Sequence, residues 1–373
     1  MMKPITQVRC LIPFTLLGVH PQGEWYSCCP LWSKLGSAGK WSDKPNALMD
    51  IWNSEIMQQI RRAVLDDELE KVCNFEYCLY AMLSEYRDLE AQKNDDPNFN
   101  HTIDQIIAGK TILDTPPNVF HVSNSGRCNL NCVMCEAKTL KEDDLFNEKL
   151  FTRIIPSILP TLSRISLQGY GEALFNPHSR RFLQTLDASR YPHLKIQLFT
   201  NGLLFGPKLW ETIKHNCFEY VSVSIDAASK ETYEKIRRNG NWDILRKNLE
   251  FISELKRQNV FNFAINFIVM KSNYREMKDF AELGLRLGCD RICFQKIWGT
   301  TDVRENINFT HNRKIFAEVG EILADPIFSR PEVDTTQIDE YRKYQGKSAS
   351  FRDALITKAK ESLYYFPIKP ALR

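Results

Sequence analysis

From residue 118 onward, short apolar runs alternate with longer amphipathic stretches. The runs at 120–123, 164–168, 195–200, 220–226, 262–269 and 291–296 have strand length and are rich in β-branched and aromatic residues, so they predict six strands. Between them, 148–159, 181–189, 242–256 and 274–287 repeat apolar residues at helical spacing. Successive β-then-α units predict an α/β fold with parallel strands and covering helices, with its chemistry at the carboxyl ends of the strands.

Upstream the pattern is different. An apolar run after Cys10, the turn Pro21-Gln22-Gly23 and the segment Glu24-Trp25-Tyr26 predict a β-hairpin. Asn53 or Ser54 then caps a helix with Ile56, Ile60, Val64 and Leu65 on one face and Arg61, Arg62, Asp66 and Asp67 mostly outward. A polar stretch from about 84 to 116 reads as a connector ending at Pro116-Pro117. Beyond 300 there are helical patterns at 315–323 and 351–363. The division predicted is 1–90 as a small domain of hairpin plus helix, 91–117 as linker, 118–300 as the α/β domain and 301–373 as a helical extension.

Length and charge add little. A chain of 373 residues suggests about two domains. A net charge of +3 gives no electrostatic argument for nucleic acid or a membrane surface. The apolar run from Cys10 to Val19 has a basic flank like a signal peptide, but Pro13 interrupts it and no small-residue cleavage site follows. No run reaches membrane-spanning length, and the expected location is cytoplasmic.

The 11 cysteines change the picture. An odd count in tight clusters fits metal ligation in a reducing compartment better than disulfides. Cys128, Cys132 and Cys135 are spaced C-x3-C-x2-C directly after the first predicted strand. Three thiolates on a tight loop suit a soft metal centre with one position left for a small molecule; a zinc loop or three unrelated thiols are the alternatives. A second set comes from the hairpin and the loop after the helix: Cys10, one of Cys28 and Cys29, Cys73 and Cys78. Adjacent strand residues face opposite sides, so only one of Cys28 and Cys29 joins such a set. Four thiolates suit either an iron–sulfur cluster or structural zinc.

The C-x3-C-x2-C loop resembles the signature of the radical S-adenosylmethionine (SAM) enzymes. The loop Gln168-Gly169-Tyr170-Gly171-Glu172, one unit later, is similar to that family's Gly-Gly-Glu motif, with Tyr170 in place of one glycine. The resemblance implies a partial (β/α)6 TIM-like barrel. It also implies a 4Fe–4S cluster on Cys128, Cys132 and Cys135 whose free iron binds SAM. Gly171 and Glu172 then meet the SAM amino group, and Ser224 and Arg237 hold its ribose or carboxylate. Asn201 belongs to the same cofactor set. Phe294 lies on the strand whose backbone brackets adenine, and Met134 packs near cluster or adenine. Asp226 faces substrate, and Asn266 either lines the site or is a satisfied core amide. Cys10-x2-Pro-Phe, Gly23-x4-Cys28, the segment from Leu48 to Ser54, Arg61 or Arg62, and the Cys73/Cys78 pair resemble the SPASM/twitch auxiliary-cluster module. That module normally follows the radical domain and here precedes it. Its few cysteines imply one auxiliary 4Fe–4S cluster on Cys10, Cys28, Cys73 and Cys78. Cys29 is then a candidate hydrogen-atom donor, while Cys217, Cys289 and Cys293 read as buried fillers.

The implied activity is reductive cleavage of SAM to a 5′-deoxyadenosyl radical, followed by hydrogen abstraction from a ribosomal peptide or a sugar- or aminoglycoside-like molecule. Epimerisation, dehydrogenation or cross-linking would follow, with a flavodoxin- or ferredoxin-type reductant as partner. The rival reading, a non-catalytic iron–sulfur carrier or scaffold, leaves the Gly171-Glu172 loop and the set Asn201, Ser224 and Arg237 without a purpose.

Overall fold

The computed structural model describes residues 5–345 apart from 22, 29–32, 45, 75–77, 79–84, 136, 138–139, 141–142, 298–304 and 309–312. Cys29 and the helical pattern at 351–363 lie outside the described residues. The chain forms two compact units, Met1–Asn129 with Glu136–Val221, and Leu130–Cys135 with Ser222–Arg373.

In the first unit six strands lie in the order Gly39–Lys40, Glu24–Tyr26, Leu16–Val19, Val119–Val122, Arg164–Leu167 and Lys195–Thr200. The hairpin Leu16–Val19 and Glu24–Tyr26 is antiparallel, as the Pro/Gly turn requires. Its first strand also pairs in parallel with Val119–Val122, Leu16 opposite Val119 and Val19 opposite Val122. Arg164–Leu167 and then Lys195–Thr200 continue the parallel register. The hairpin therefore extends the same sheet as the parallel strands, with Gly39–Lys40 outermost. Gly18 sits opposite His121, where a Cβ would lie 3.5 Å from the His121 Cβ.

In the second unit Asn262–Val269 pairs in parallel with Arg291–Lys296, which pairs in parallel with Val333–Asp334. Phe218–Ser224 starts in the first unit and ends in the second. The buried helix face Met277–Leu287 supplies Phe280, which meets Phe267 and Phe294 on these strands. Gly288 ends this helix at φ +70°, a left-handed C-terminal stop.

The predicted strands lie where the apolar runs place them, and the helices differ in instructive ways. The stretch at 148–159 is an α-helix at Asp144–Lys149, a π-helical turn at Leu150–Ile154 and an α-turn at Ile155–Ile158. Pro156 has no N–H to give an α-helical bond, so the helix widens just before it. The helix predicted at 181–189 is Pro177–Thr185, because Asn176 caps it from the His178 N–H and Pro177 takes the first position. The connector contains a helix, Pro97–Ile107, capped by Asp96, with Ile103 and Ile106 fully buried. On helix Glu55–Leu65 Arg61 does not point outward: its side chain is 0% exposed.

Candidate cluster and cofactor sites

In the first unit the Gly171-Glu172 loop packs against the segment leading into the cysteine stretch. A Cβ at Gly171 would lie 2.4 Å from the Arg127 carbonyl and 2.6 Å from the Ser125 carbonyl, so only glycine allows this approach. The Glu172 N–H donates to the same Arg127 carbonyl at 2.8 Å. The Glu172 side chain is buried and turns inward. Its carboxylate accepts from Thr200 Oγ1 (2.7 Å), the Asn201 N–H (2.6 Å) and the Leu174 N–H (3.1 Å). Glu172 therefore fixes the end of strand Lys195–Thr200. Asn201, so fixed, gives Nδ2 to Asn129 Oδ1 at 2.8 Å and approaches Cys128 Sγ at 3.8 Å. A cavity lies beside this loop, lined by Val122, Asn124, Gln168, Gly171, Glu172 and Asn176 among others.

The same unit carries a row of polar strand residues that the sequence reading passed over. Gln168 Nε2 donates to His121 Nδ1 at 2.8 Å, and Ser166 Oγ donates to Gln197 Oε1 at 2.8 Å. Gln197 Nε2 and Arg164 Nε both donate to Glu219 Oε2, at 3.0 and 2.7 Å. Arg164, Ser166 and Gln168 share one face by strand alternation. The signal was polar residues at period two inside apolar runs.

In the second unit the Asp226 carboxylate, fully buried, receives Arg237 Nε at 2.9 Å and Nη2 at 2.5 Å on Oδ2. Its Oδ1 accepts the Ile268 N–H at 2.8 Å. Asp226 lies at φ +62°, held there by the Asn273 Nδ2 bond to its carbonyl at 2.9 Å. Both oxygens are thus engaged by protein, which makes Asp226 a positioning residue for Arg237 instead of a group open to substrate. Glu276 secures the next turn by accepting from the Ala228 and Ser229 N–H groups and from the Ser229 and Thr232 hydroxyls. Helix Lys230–Ile236 follows and delivers Arg237, whose Nη1 lies 3.8 Å from Cys132 Sγ. Residues 237–238 pair with Cys132 and Asn131 as a two-residue antiparallel ladder. Met134 packs with Ile236, Met270 and Ile297, beside Cys132.

Other sites move. The ring of Phe294 is 1% exposed and packs on Phe267, Phe280 and Phe328, so the side chain belongs to the aromatic core and leaves only its backbone for a ligand. Asn266 is a satisfied amide that donates to Ser222 Oγ at 2.6 Å. Ser224 closes its strand half-buried. Cys289 and Cys293 are buried, but Cys217 is exposed, with Lys195 Nζ 3.1 Å from its sulfur.

Comparison with known proteins covers the segments that carry these residues. The profile of the Radical SAM superfamily matches residues 122–284, and that of an iron–sulfur cluster-binding domain, SPASM, matches residues 10–78. The segment 122–284 thus belongs to the radical SAM superfamily. It is 26% identical over 165 residues to the mycofactocin maturase MftC of Mycobacterium tuberculosis (strain CDC 1551 / Oshkosh), a match covering 43% of this chain and 40% of that protein. It is 29% identical over 167 residues to the AdoMet-dependent heme synthase of Methanosarcina barkeri, covering 43% and 45% respectively. The chain thus spans less than half the length of these two relatives. Streptococcus suis SuiB bound to S-adenosylmethionine aligns with a TM-score of 0.48 at 15% identity, over 78% of this chain and 64% of that one.

The radical SAM and SPASM domains together imply a 4Fe–4S cluster and SAM, and the cysteines fit such groups. Cys10, Cys28, Cys73 and Cys78 line one cavity in the first unit, with Ile12, Pro13, Ile60 and Leu69 among its apolar walls. Among the described residues no three His, Cys, Asp or Glu side chains are grouped to hold a single ion; these thiols ring a space instead. Soft donors around an apolar cradle suit an iron–sulfur cluster. Burial pushes the Cys10 thiol up to about 12 and Cys73 to about 11, and raises Cys28 as well. Burial thus favours the neutral thiol at Cys10, Cys28 and Cys73, so binding a cluster there would release protons. No helix among the described residues is long and apolar enough to cross a membrane.

Proposed function

We propose that this protein is a radical SAM enzyme that removes a hydrogen atom from a polar substrate, with a ribosomal peptide as the leading substrate class. The observation that carries the reading is the Arg237 guanidinium held by Asp226 against Cys132, inside the segment that matches the superfamily. In this reading Cys128, Cys132 and Cys135 hold a 4Fe–4S cluster, which when bound supplies the electron for reductive cleavage of SAM. Cys10, Cys28, Cys73 and Cys78 hold one auxiliary 4Fe–4S cluster.

The protein's part is binding and aim. Arg237, oriented by Asp226, offers a cation to the SAM carboxylate and to the Cys132 sulfur. Ser224 offers a hydroxyl at a strand end, and Asn201, fixed by Glu172, donates beside Cys128. Gly171 keeps the backbone near the cysteine stretch. The row from His121 to Glu219 supplies donors and acceptors for a polar substrate. The maturase among the relatives supports a peptide; the same polar row would serve a sugar-like molecule. Epimerisation, dehydrogenation and cross-linking remain the candidate outcomes, and an external one-electron reductant of flavodoxin or ferredoxin type is the proposed partner.

The test is anaerobic reconstitution followed by dithionite and SAM. Formation of 5′-deoxyadenosine, abolished by replacing Cys128, Cys132 and Cys135 with Ala, supports the reading. Absence of 5′-deoxyadenosine with both clusters intact favours the carrier or scaffold. Solvent deuterium in the product separates epimerisation from dehydrogenation.

A further inference from the structure

Arg61 is a buried cation with no anionic partner among the described residues. Its side chain is 0% exposed. Nε donates to the Pro13 carbonyl at 2.9 Å, and Nη1 donates to Asn53 Oδ1 at 2.9 Å and the Thr111 carbonyl at 2.8 Å. Nη2 is buried and has no hydrogen-bond partner among the described residues. The guanidinium lies 4.3 Å from the centre of the Trp52 ring. Every one of these contacts is neutral. An unpaired buried guanidinium is costly, so something anionic should offset it.

The nearest candidate is one wall away. Pro13, which accepts from Arg61, and Ile60, its neighbour in sequence, both line the cavity ringed by Cys10, Cys28, Cys73 and Cys78. Other cations near these thiols are differently placed. Arg9 is paired with Asp67 at 2.6 Å, and Lys34 reaches the Glu70 carbonyl at 2.7 Å toward solvent. Four thiolates around a 4Fe–4S core carry net negative charge, and one-electron reduction adds another. That charge arrives only with the cluster.

We propose that Arg61 is the buried counter-ion of the auxiliary cluster, stabilising its bound and reduced forms through the Pro13 and Ile60 wall. The proposal rests on the auxiliary-cluster reading above. The test uses the full chain with Cys128, Cys132 and Cys135 replaced by Ala, which leaves only the auxiliary site. Arg61→Met, Arg61→Gln and Arg61→Lys are compared in that background for iron content, for EPR-monitored midpoint potential, and for Tm with and without cluster. The parent should hold about four irons per chain on the cubane count. The two neutral variants should keep the cluster-free Tm, shift the potential to more negative values, and lose part of the Tm gain that cluster loading gives. Arg61→Lys should retain most of the parent potential. No iron in the parent overturns the auxiliary-cluster reading itself. Iron in all chains with unchanged potential and unchanged Tm gain overturns the role of Arg61 alone. Unfolding of the cluster-free chain by both neutral substitutions also overturns it, because the charge would then be needed without any cluster.

Discussion

Arg237 Nη1 lies 3.8 Å from Cys132 Sγ, and the same guanidinium is clamped by Asp226 at 2.5 and 2.9 Å. A cysteine of the C-x3-C-x2-C stretch, a cation and a buried carboxylate thus form one chain. Burial alone would push the Asp226 carboxyl up; the guanidinium opposes that rise. Breaking one half of such a pair leaves a buried charge uncompensated and costs about 3–5 kcal/mol. Arg237→Met and Asp226→Asn should each lower unfolding free energy by about that amount. In urea titrations the double variant should lose clearly less than the two single losses combined, because neither charge is then left alone. Additive losses would show that the two side chains do not act as a unit.

Gly171→Ala is expected to cost about 1–3 kcal/mol by overpacking, since the new methyl group would press into two carbonyl oxygens at 2.4 and 2.6 Å. The strain falls on Ser125–Arg127, the lead into the cysteine stretch. SAM-dependent formation of 5′-deoxyadenosine should fall more steeply than Tm. A variant with wild-type Tm and activity would show that the loop moves freely.

Acid should destabilise the protein through His121. Burial, with a smaller push from Arg164, lowers its pKa from 6.5 to about 4. The unfolded chain therefore binds this proton about two pH units before the folded one. The contribution is fully present above pH 6.5 and is lost as pH falls through 4, about 3 kcal/mol in all. His20, lowered to about 4 by burial, acts in the same direction. Unfolding free energy measured from pH 7 to pH 4 should fall, and His121→Gln should flatten part of the slope. A slope identical in the variant would remove His121 from the account.

Iron content should separate the two cysteine sets. The reconstituted chain should hold about eight irons on the cubane count, and Cys10→Ala, Cys28→Ala, Cys73→Ala or Cys78→Ala should bring it toward four. Zinc found in place of the second four irons would point to a structural zinc site.

Much of the candidate site was legible because the chemistry is local. Cys128, Cys132 and Cys135 fall within eight residues, and the Gly171-Glu172 loop follows a recognisable strand. Strand runs were equally legible, since apolar residues and turn signals are set by the chain next to them. Arg61 was misread because it stands among helix positions that looked polar and outward, whereas the carbonyls of Pro13 and Thr111, with Asn53 and Trp52, hold it inside. Phe294 was placed on the strand whose backbone brackets adenine, but the sequence of a strand does not reveal which face meets helix Met277–Leu287, and the ring packs there.

The sequence by itself determined the spacing of the thiols, the alternation of strands and helices, and the glycine and capping positions. Each depends on neighbours within a few residues. Only the tertiary structure decided which distant groups meet. It turned Asp226 toward Arg237 and Arg237 toward Cys132. It brought Cys10, Cys28, Cys73 and Cys78 around one cavity, and it enclosed Arg61 one wall behind them. The physical reason is that burial and charge pairing depend on whatever packs against a side chain, and for these residues the partners come from remote parts of the chain.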